Sequence, residues 1–370
     1  MKPIRILILY QFDSNKHLLN RLKAELGEFD IRAEIFNTRT FEYSKKTNIG
    51  LKALSKLVKI PKIRVLIYRI FRNRIILSLS NKFDSIDIHF YSPIYNSIIE
   101  KIDKPIKVVF WGSDLYRVED ERIDEIKKSL GKIKTLHFLT PEMKNFAEEK
   151  GITHSNSFVQ PFGVVHFDVI KTLKETYDPD KAKLPKDKAI MAVGYNASPN
   201  QQHIKIINEI NLLPKEVKDK IHFIFLLTYG GNKDYILSIK DLLIKNNLDF
   251  TIIEKRLSEI ELCKIRLSVD ITMNFQITDG FSSSIQEHFY AENIMILGEW
   301  LPYNWLKTYG LNFHNVRLQN LSKTILDILS NLDSEKELAK KNAKNIEVIS
   351  KWSSCISKWK DIYEATKENK

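Results

Sequence analysis

The stretch Asn274–Trp300, NFQITDGFSSSIQEHFYAENIMILGEW, carries the reading on which the fold turns. The residues over 269–274 predict a strand ending at Asn274. A loop holding Asp279, Gly280 and Phe281 follows, and the serine run Ser282, Ser283, Ser284 opens a helix over 283–291. A second apolar run at 294–297 predicts another strand. Strand, loop, helix and strand in so few residues make a parallel crossover unit. Free backbone N–H groups at that helix start, with three hydroxyls beside them, suit a diphosphate. Glu287 lies one turn further in. Asp279 before the helix and Glu287 on it are placed to reach two hydroxyl-bearing parts of one ligand; the alternative is a capped helix with Glu287 on its surface.

The same alternation runs outward in both directions. Upstream, strands are expected at 189–193, 222–227 and 250–253, with helices at 201–211, 233–246 and 258–268. In the first half, strands are expected at 4–10, 31–36, 86–91, 107–111 and 135–140. Helical patterns fill 16–26, 51–78, 95–102, 119–130 and 142–150. Such alternation implies α/β architecture, with parallel sheets covered on both faces. The polar, proline-containing text around KETYDPDKAKLPKDK reads as a hinge. The expected plan is two doubly wound, Rossmann-like domains, 1–165 and 188–345, facing a central cleft. The hinge covers 166–187, and a C-terminal helix in 346–370 is read as returning to the first domain.

Composition narrows the class. With 370 residues, 43% hydrophobic and 28% charged, the chain is neither disordered nor of low complexity. Two cysteines make no disulfide framework and lack zinc-site spacing, so a reducing compartment is the simplest expectation. No apolar run reaches the ~20 residues of a membrane span. The opening MKPIRILILYQFD is too short in its apolar part for a secretory signal and reads as a first strand. A cytoplasmic protein, soluble or attached to a membrane surface, is expected.

The net charge of +12 is concentrated. Residues 43–83 hold eleven basic side chains and no acidic one, including Lys45, Lys46, Lys52, Lys56, Lys59, Lys62, Arg69 and Arg72. Leu51, Leu54, Leu57 and Val58 fall at helical spacing beside those lysines, and Pro61 suits the first turn of a second helix. A cationic amphipathic pair of helices is what an anionic inner leaflet attracts. The alternative is a helical layer packed on the core with its lysines solvated. A nucleic-acid groove is disfavoured, because only Tyr68 and Phe71 offer aromatic platforms within the helical part.

Four motifs carry a resemblance. The spacing from Asp279 to Glu287 resembles the E-x7-E element of GT-B glycosyltransferases, with Asp in place of the first Glu. In those enzymes the first acid holds hydroxyls of the transferred sugar and the second holds the nucleotide ribose. VVFWGSDLYR (Val108–Arg117) and AVGYNASPNQQHIKII (Ala192–Ile207) resemble, more closely, the bacterial family that adds 4-acetamido-4,6-dideoxygalactose, from a TDP-linked donor, to a lipid-linked saccharide. LLTYGGNKDYILSIKDLL (Leu226–Leu243) matches a glycine-containing loop before a helix in the same family.

The resemblance implies a GT-B glycosyltransferase that binds acceptor on the first domain and nucleotide sugar on the second. Its place would be bacterial surface polysaccharide synthesis at the inner face of the plasma membrane. No cofactor is expected beyond the nucleotide-diphosphate sugar as co-substrate. No Asp-x-Asp pair stands at a strand end, and Asp178–Asp180 falls in the linker, so no obligatory metal is expected either. An inverting reaction needs a base for the acceptor hydroxyl. Asp114 is the first candidate, with helix capping or pairing to Arg117 as its alternative, and Asp13 is the rival. His17, one turn beyond Asp13, is placed to assist. Asn196 and Tyr229 are expected to touch phosphate or sugar, and Lys255 or Arg256 to add positive charge. A nucleotide-sugar epimerase or hydrolase of the same fold, or a non-enzymatic membrane-surface binding module, are the other classes.

Overall fold

The structure, a computed structural model, describes residues 2–13, 16–43, 49–178 and 184–367. Lys45 and Lys46 of the basic segment and Asp180 of the linker lie outside the described residues. The chain forms two compact units, Met1–Gly163 with Trp352–Lys370, and Val164–Lys351.

The first unit is built on a parallel sheet ordered β2-β1-β3-β4-β5-β6. Its strands are β1 (Ile4–Tyr10), β2 (Ile31–Asn37), β3 (Ser85–His89), β4 (Ile106–Val109), β5 (Thr135–Phe138) and β6 (Ser157–Val159). From Ile6 to Tyr10 every side chain of β1 is buried, as expected for a strand flanked by β2 and β3 and covered on both faces. The edge strand β6 has only three residues and opens on Ser157, so no apolar run announces it.

The helical pattern expected over 51–78, read as a pair with Pro61 opening the second helix, is Ile49–Leu57, Pro61–Ile67 with Pro61 in its first turn, a π-helical turn Tyr68–Arg72, and Asn73–Ser80. Leu51, Val58, Ile67, Ile76 and Leu79 face inward and are buried, and the Tyr68 ring stacks on Phe41 at 5.7 Å. Arg72, expected to face a membrane, is instead turned partly inward, where burial lowers its pKa. Among the described residues no helix is long and apolar enough to cross a membrane.

The C-terminal helix Trp352–Lys367 belongs to this unit and covers a buried polar group. Lys107 of β4 meets Asp87 of β3 at 3.1 Å, with its ammonium 3.6 Å from the Tyr363 ring centroid and 4.5 Å from that of Trp359. Tyr363 donates to Asp87 at 2.5 Å, and Trp359 donates to the Pro161 carbonyl at 3.0 Å. Burial lowers the Lys107 pKa to about 8, against the pull of Asp87. The preceding helix ends at Ser350 in the second unit, so the break falls at Lys351 rather than at 346.

The second unit repeats the plan with the order β12-β11-β10-β7-β8-β9. Its strands are β7 (Ala189–Val193), β8 (Ile221–Leu226), β9 (Phe250–Ile253), β10 (Ile271–Asn274), β11 (Ile294–Gly298) and β12 (His314–Val316). Ile206, Ile207 and Ile210 of the helix His203–Asn211 pack on Met191, Phe223 and Met273 of the sheet. Part of the expected hinge is not a linker. Residues Phe167–Thr176 are helical, and Phe167 and Ile170, one turn apart, join a core with Ile285 and Phe289. Phe167 stacks on Tyr290 at 4.2 Å. Asp168, Lys171, Thr172 and Lys174, interleaved with Phe167, Ile170 and Leu173, mask that apolar stripe.

Candidate functional site

Strand β7 opens the second sheet, with β8 on one side and β10 on the other. The chain leaves β7 in one direction and later returns to its opposite edge, so the loops after these strands splay apart at a topological switch point. The second-unit site is built from those loops and the helix after β10, joined by Arg266 from the helix after β9, Tyr303 from beyond β11 and His166 from before β7.

After β7, Gly194 has φ +64°, and a Cβ there would stand 2.8 Å from Gln201 Oε1. Glycine allows that approach. The Tyr195 hydroxyl donates to Gln276 Oε1 at 2.9 Å, and Gln201 Nε2 donates to the same oxygen at 3.0 Å. Asn196 Oδ1 accepts the Ser198 amide at 2.8 Å, while the Ala197 amide donates to the Tyr229 carbonyl at 2.7 Å. That last bond ties the β7 and β8 loops together. The Tyr229 hydroxyl lies within electrostatic reach of Arg266, Glu287 and Asp279.

The loop after β10 carries Asp279 and a residue in the left-handed region, Phe281 at φ +68°, which is uncommon for a bulky side chain. Asp279 is buried, and both the Tyr303 hydroxyl and the Ser282 amide donate to its Oδ2. Burial raises its pKa, and those donors pull it back. The helix Ser283–Tyr290 follows without a side-chain cap at Ser282, so amides of its first turn are left for another acceptor. The three serines differ. Ser282 is half-buried and Ser283 is exposed, but Ser284 is buried and accepts from Arg266 Nη2 at 2.8 Å. Ser284 is therefore a support for Arg266 and not a third free hydroxyl.

Glu287 is 3% exposed and is not a surface residue. Its Oε1 meets His166 Nδ1 at 2.6 Å and its Oε2 accepts from Arg266 Nε at 3.2 Å. Burial alone would raise the Glu287 pKa, but the His166 hydrogen bond and the Arg266 charge hold it below the usual range. Arg266 Nη1 donates to His288 Nε2 at 2.8 Å. Burial and the Arg266 charge keep the His288 pKa well below its ordinary value, so that nitrogen is free to accept. Two buried amide nitrogens nearby, Asn274 Nδ2 and Gln276 Nε2, have no hydrogen-bond acceptor. A ligand carrying oxygen acceptors would satisfy them. Among the described residues no three His, Cys, Asp or Glu side chains gather as a metal site.

Lys255 and Arg256 are the cations expected from the sequence to add positive charge to the site. They follow the edge strand β9, exposed to solvent, and are absent from the hydrogen bonds and ion pairs that build this cluster. The buried cation is Arg266, which the sequence reading passed over, as it did His166. The signal that marks Arg266 lies in the structure and not in the sequence. Arg266 lies one turn from Cys263 on the helix Glu259–Ser268, both buried, and a charge on an apolar face needs a partner.

In the first unit, Asp114 follows β4 and is 2% exposed. Oδ1 accepts the amides of Trp111 at 2.8 Å and Gly112 at 3.0 Å, and Oδ2 accepts that of Tyr91 at 2.9 Å. The carboxylate thus joins the loops after β3 and β4. Burial pushes its pKa up to about 7, against those amides. As the leading candidate for a base it is poorly placed, because its lone pairs are already engaged. Asp13 is exposed just after β1 and takes one bond, from Asn37 Nδ2 at 2.9 Å.

No family model and no curated protein matches the chain. Solved structures do. A glycosyltransferase from Rickettsia africae superposes with a TM-score of 0.75 at 14% identity, covering 100% of both chains. Sucrose-phosphate synthase from Thermosynechococcus elongatus gives 0.74 at 11%, covering 98% of each. HepE from Anabaena in complex with UDP-glucose gives 0.71 at 10%, covering 98% of this chain and 100% of the other. Two parallel six-stranded sheets matched over the whole chain make this a GT-B fold.

Proposed function

With the GT-B fold as premise, we propose that the chain is a glycosyltransferase using a nucleotide-diphosphate sugar. The observation that carries the reading is the second unit's switch point, where an uncapped helix start, two buried acids and two unpartnered amides meet. The UDP and UDP-glucose complexes of HepE support a nucleotide-sugar donor. First-turn amides at Ser283 and Ser284, with the Ser282 and Ser283 hydroxyls, receive the diphosphate. Glu287 receives the ribose and Asp279 a hydroxyl of the sugar, with Tyr229 and Asn196 at the same loops. Arg266, one layer behind, keeps Glu287 ionised.

In the inverting form of the reaction, the acceptor oxygen bonds to the anomeric carbon as the bond to the phosphate oxygen breaks. The nucleoside diphosphate leaves with that electron pair, and a carboxylate base takes the acceptor proton, for which Asp13 is the exposed acid that the first unit offers. No metal is assigned a step, since the helix-start amides meet the developing charge. The acceptor is a lipid-linked saccharide of a bacterial surface polysaccharide, handled at the inner face of the plasma membrane. The Val108–Arg117 and Ala192–Ile207 motifs support this narrower reading.

Release of nucleoside diphosphate from UDP-, TDP- and GDP-sugars, with and without polyprenyl-diphosphate-linked saccharide, tests the proposal. Acceptor-dependent release is expected with one of the donors, and Glu287→Gln should raise that donor's KM by roughly tenfold with a smaller change in kcat. The Gln variant keeps the side chain's volume and one oxygen acceptor for Arg266 or His166. Because it still removes the charge facing Arg266, its folding is checked by circular dichroism before its KM is read. Release without acceptor at the same rate would point to a hydrolase instead. An unchanged donor KM would remove Glu287 from the donor site.

A further inference from the structure

The helical layer of the first unit has two apolar faces, and the core fills only one of them. Leu51, Val58, Ile67 and Ile76 face inward and are buried. Facing outward are Leu57, Ile60, Val65, Leu66, Ile70 and Phe71, which are 39% to 70% exposed. Among the described residues, six of the seventeen exposed large hydrophobics therefore lie within fifteen consecutive residues, a patch rather than scatter.

The π-helical turn Tyr68–Arg72 accounts for part of this. In an unbroken α-helix, Ile70 and Phe71 would follow Ile67 at i+3 and i+4 and share its buried face. The wider turn instead spaces the inward stripe as Ile67, Arg72 and Ile76, and swings Ile70 and Phe71 into solvent. A turn that exposes two apolar residues and draws an arginine partly inward costs stability, which a purely structural layer has no cause to spend. π-Turns are frequent at functional sites.

Exposed cations border the patch: Lys56, Lys59, Lys62, Arg64, Arg69 and Arg74. No acidic residue occurs between 43 and 83, and none of these six makes an ion pair among the described residues. An acidic protein would satisfy the cations through matched geometry. A bilayer satisfies cations and apolar tips together, because headgroup phosphates lie just above acyl chains. We infer that this face is a docking surface for an anionic lipid bilayer, with Val65, Leu66, Ile70 and Phe71 entering the acyl boundary and the cations at headgroup level. It rests on and deepens the membrane-face part of the proposed reading; vesicle binding needs neither donor nor acceptor, so bilayer docking and sugar transfer can each fail alone.

The full chain is sedimented with vesicles of equal parts phosphatidylcholine and phosphatidylglycerol, and with phosphatidylcholine alone. Binding is expected to the anionic vesicles and to be weakened by salt. Lys56→Gln, Lys59→Gln, Lys62→Gln and Arg64→Gln together should lower the partition coefficient by about 10²–10³-fold at low salt, from ~1 kcal/mol per basic residue. Val65→Ser with Leu66→Ser should lower it by at least ~10-fold and should also remove the binding that survives high salt. All these positions are exposed, so unchanged circular dichroism is expected. Failure of the parent to bind anionic vesicles, or unweakened binding by both variants, overturns the inference. Self-association abolished by Val65→Ser with Leu66→Ser, without vesicle binding, would overturn it in favour of a contact between copies.

Discussion

His166 shows what a single side chain can hide. It stands at the entry to the helix Phe167–Thr176, and its ring is bonded to Glu287 across 121 positions of sequence. Burial lowers its pKa, but the hydrogen bond and charge of Glu287 more than reverse this and raise it above the ordinary 6.5. A histidine whose folded pKa is raised contributes stability that is complete below its unfolded value and is lost as pH rises through the folded one. His166→Gln should therefore destabilise the protein most below about pH 6.5, and the difference in Tm from the parent should shrink as pH rises above that value. Thermal unfolding of both proteins across that range checks it. A difference that grows with pH would mean the pair is not His⁺–carboxylate. Glu287 itself was legible in the sequence, from its place on a helix after a serine run. Its partners were not, since no local pattern links residue 166 or 266 to residue 287.

At the scale of elements, the loop after β4 shows how motif and role separate. Trp111-Gly112-Ser113-Asp114 reads as a strand end presenting an acid, but folding turns that acid onto the amides of Tyr91, Trp111 and Gly112. Asn at 114 would keep one oxygen and set an NH2 group against an amide donor. Asp114→Asn should thus lower unfolding stability by about 1–3 kcal/mol. Asp13→Asn, at an exposed site, should change stability by less than ~0.5 kcal/mol while kcat falls by roughly 10²–10⁴-fold. Denaturant unfolding and steady-state rates separate the two. A stable Asp114→Asn with lost turnover, beside an active Asp13→Asn, would restore Asp114 as the base. Most strands were readable as apolar runs, since parallel strands are buried on both faces. The edge strands β6 and β12 were missed because three residues with polar members carry no such run. The helix Phe167–Thr176 was missed because charged residues dilute its stripe.

For the whole molecule, strand–helix alternation was enough to read two doubly wound units, because that topology follows from period and order alone. Assigning a ligand needed what the sequence does not display, namely which loops meet. The order β10-β7-β8 brings three separate loops to one switch point. Isothermal titration of the full chain with UDP, TDP and GDP tests the central claim that this point holds a nucleoside diphosphate. One of the three should bind saturably at one site per chain, more weakly to Glu287→Gln, and at 100 times its Kd should add ~2.7 kcal/mol of stability. Absence of binding by all three, in protein whose thermal unfolding shows it folded, would contradict the account.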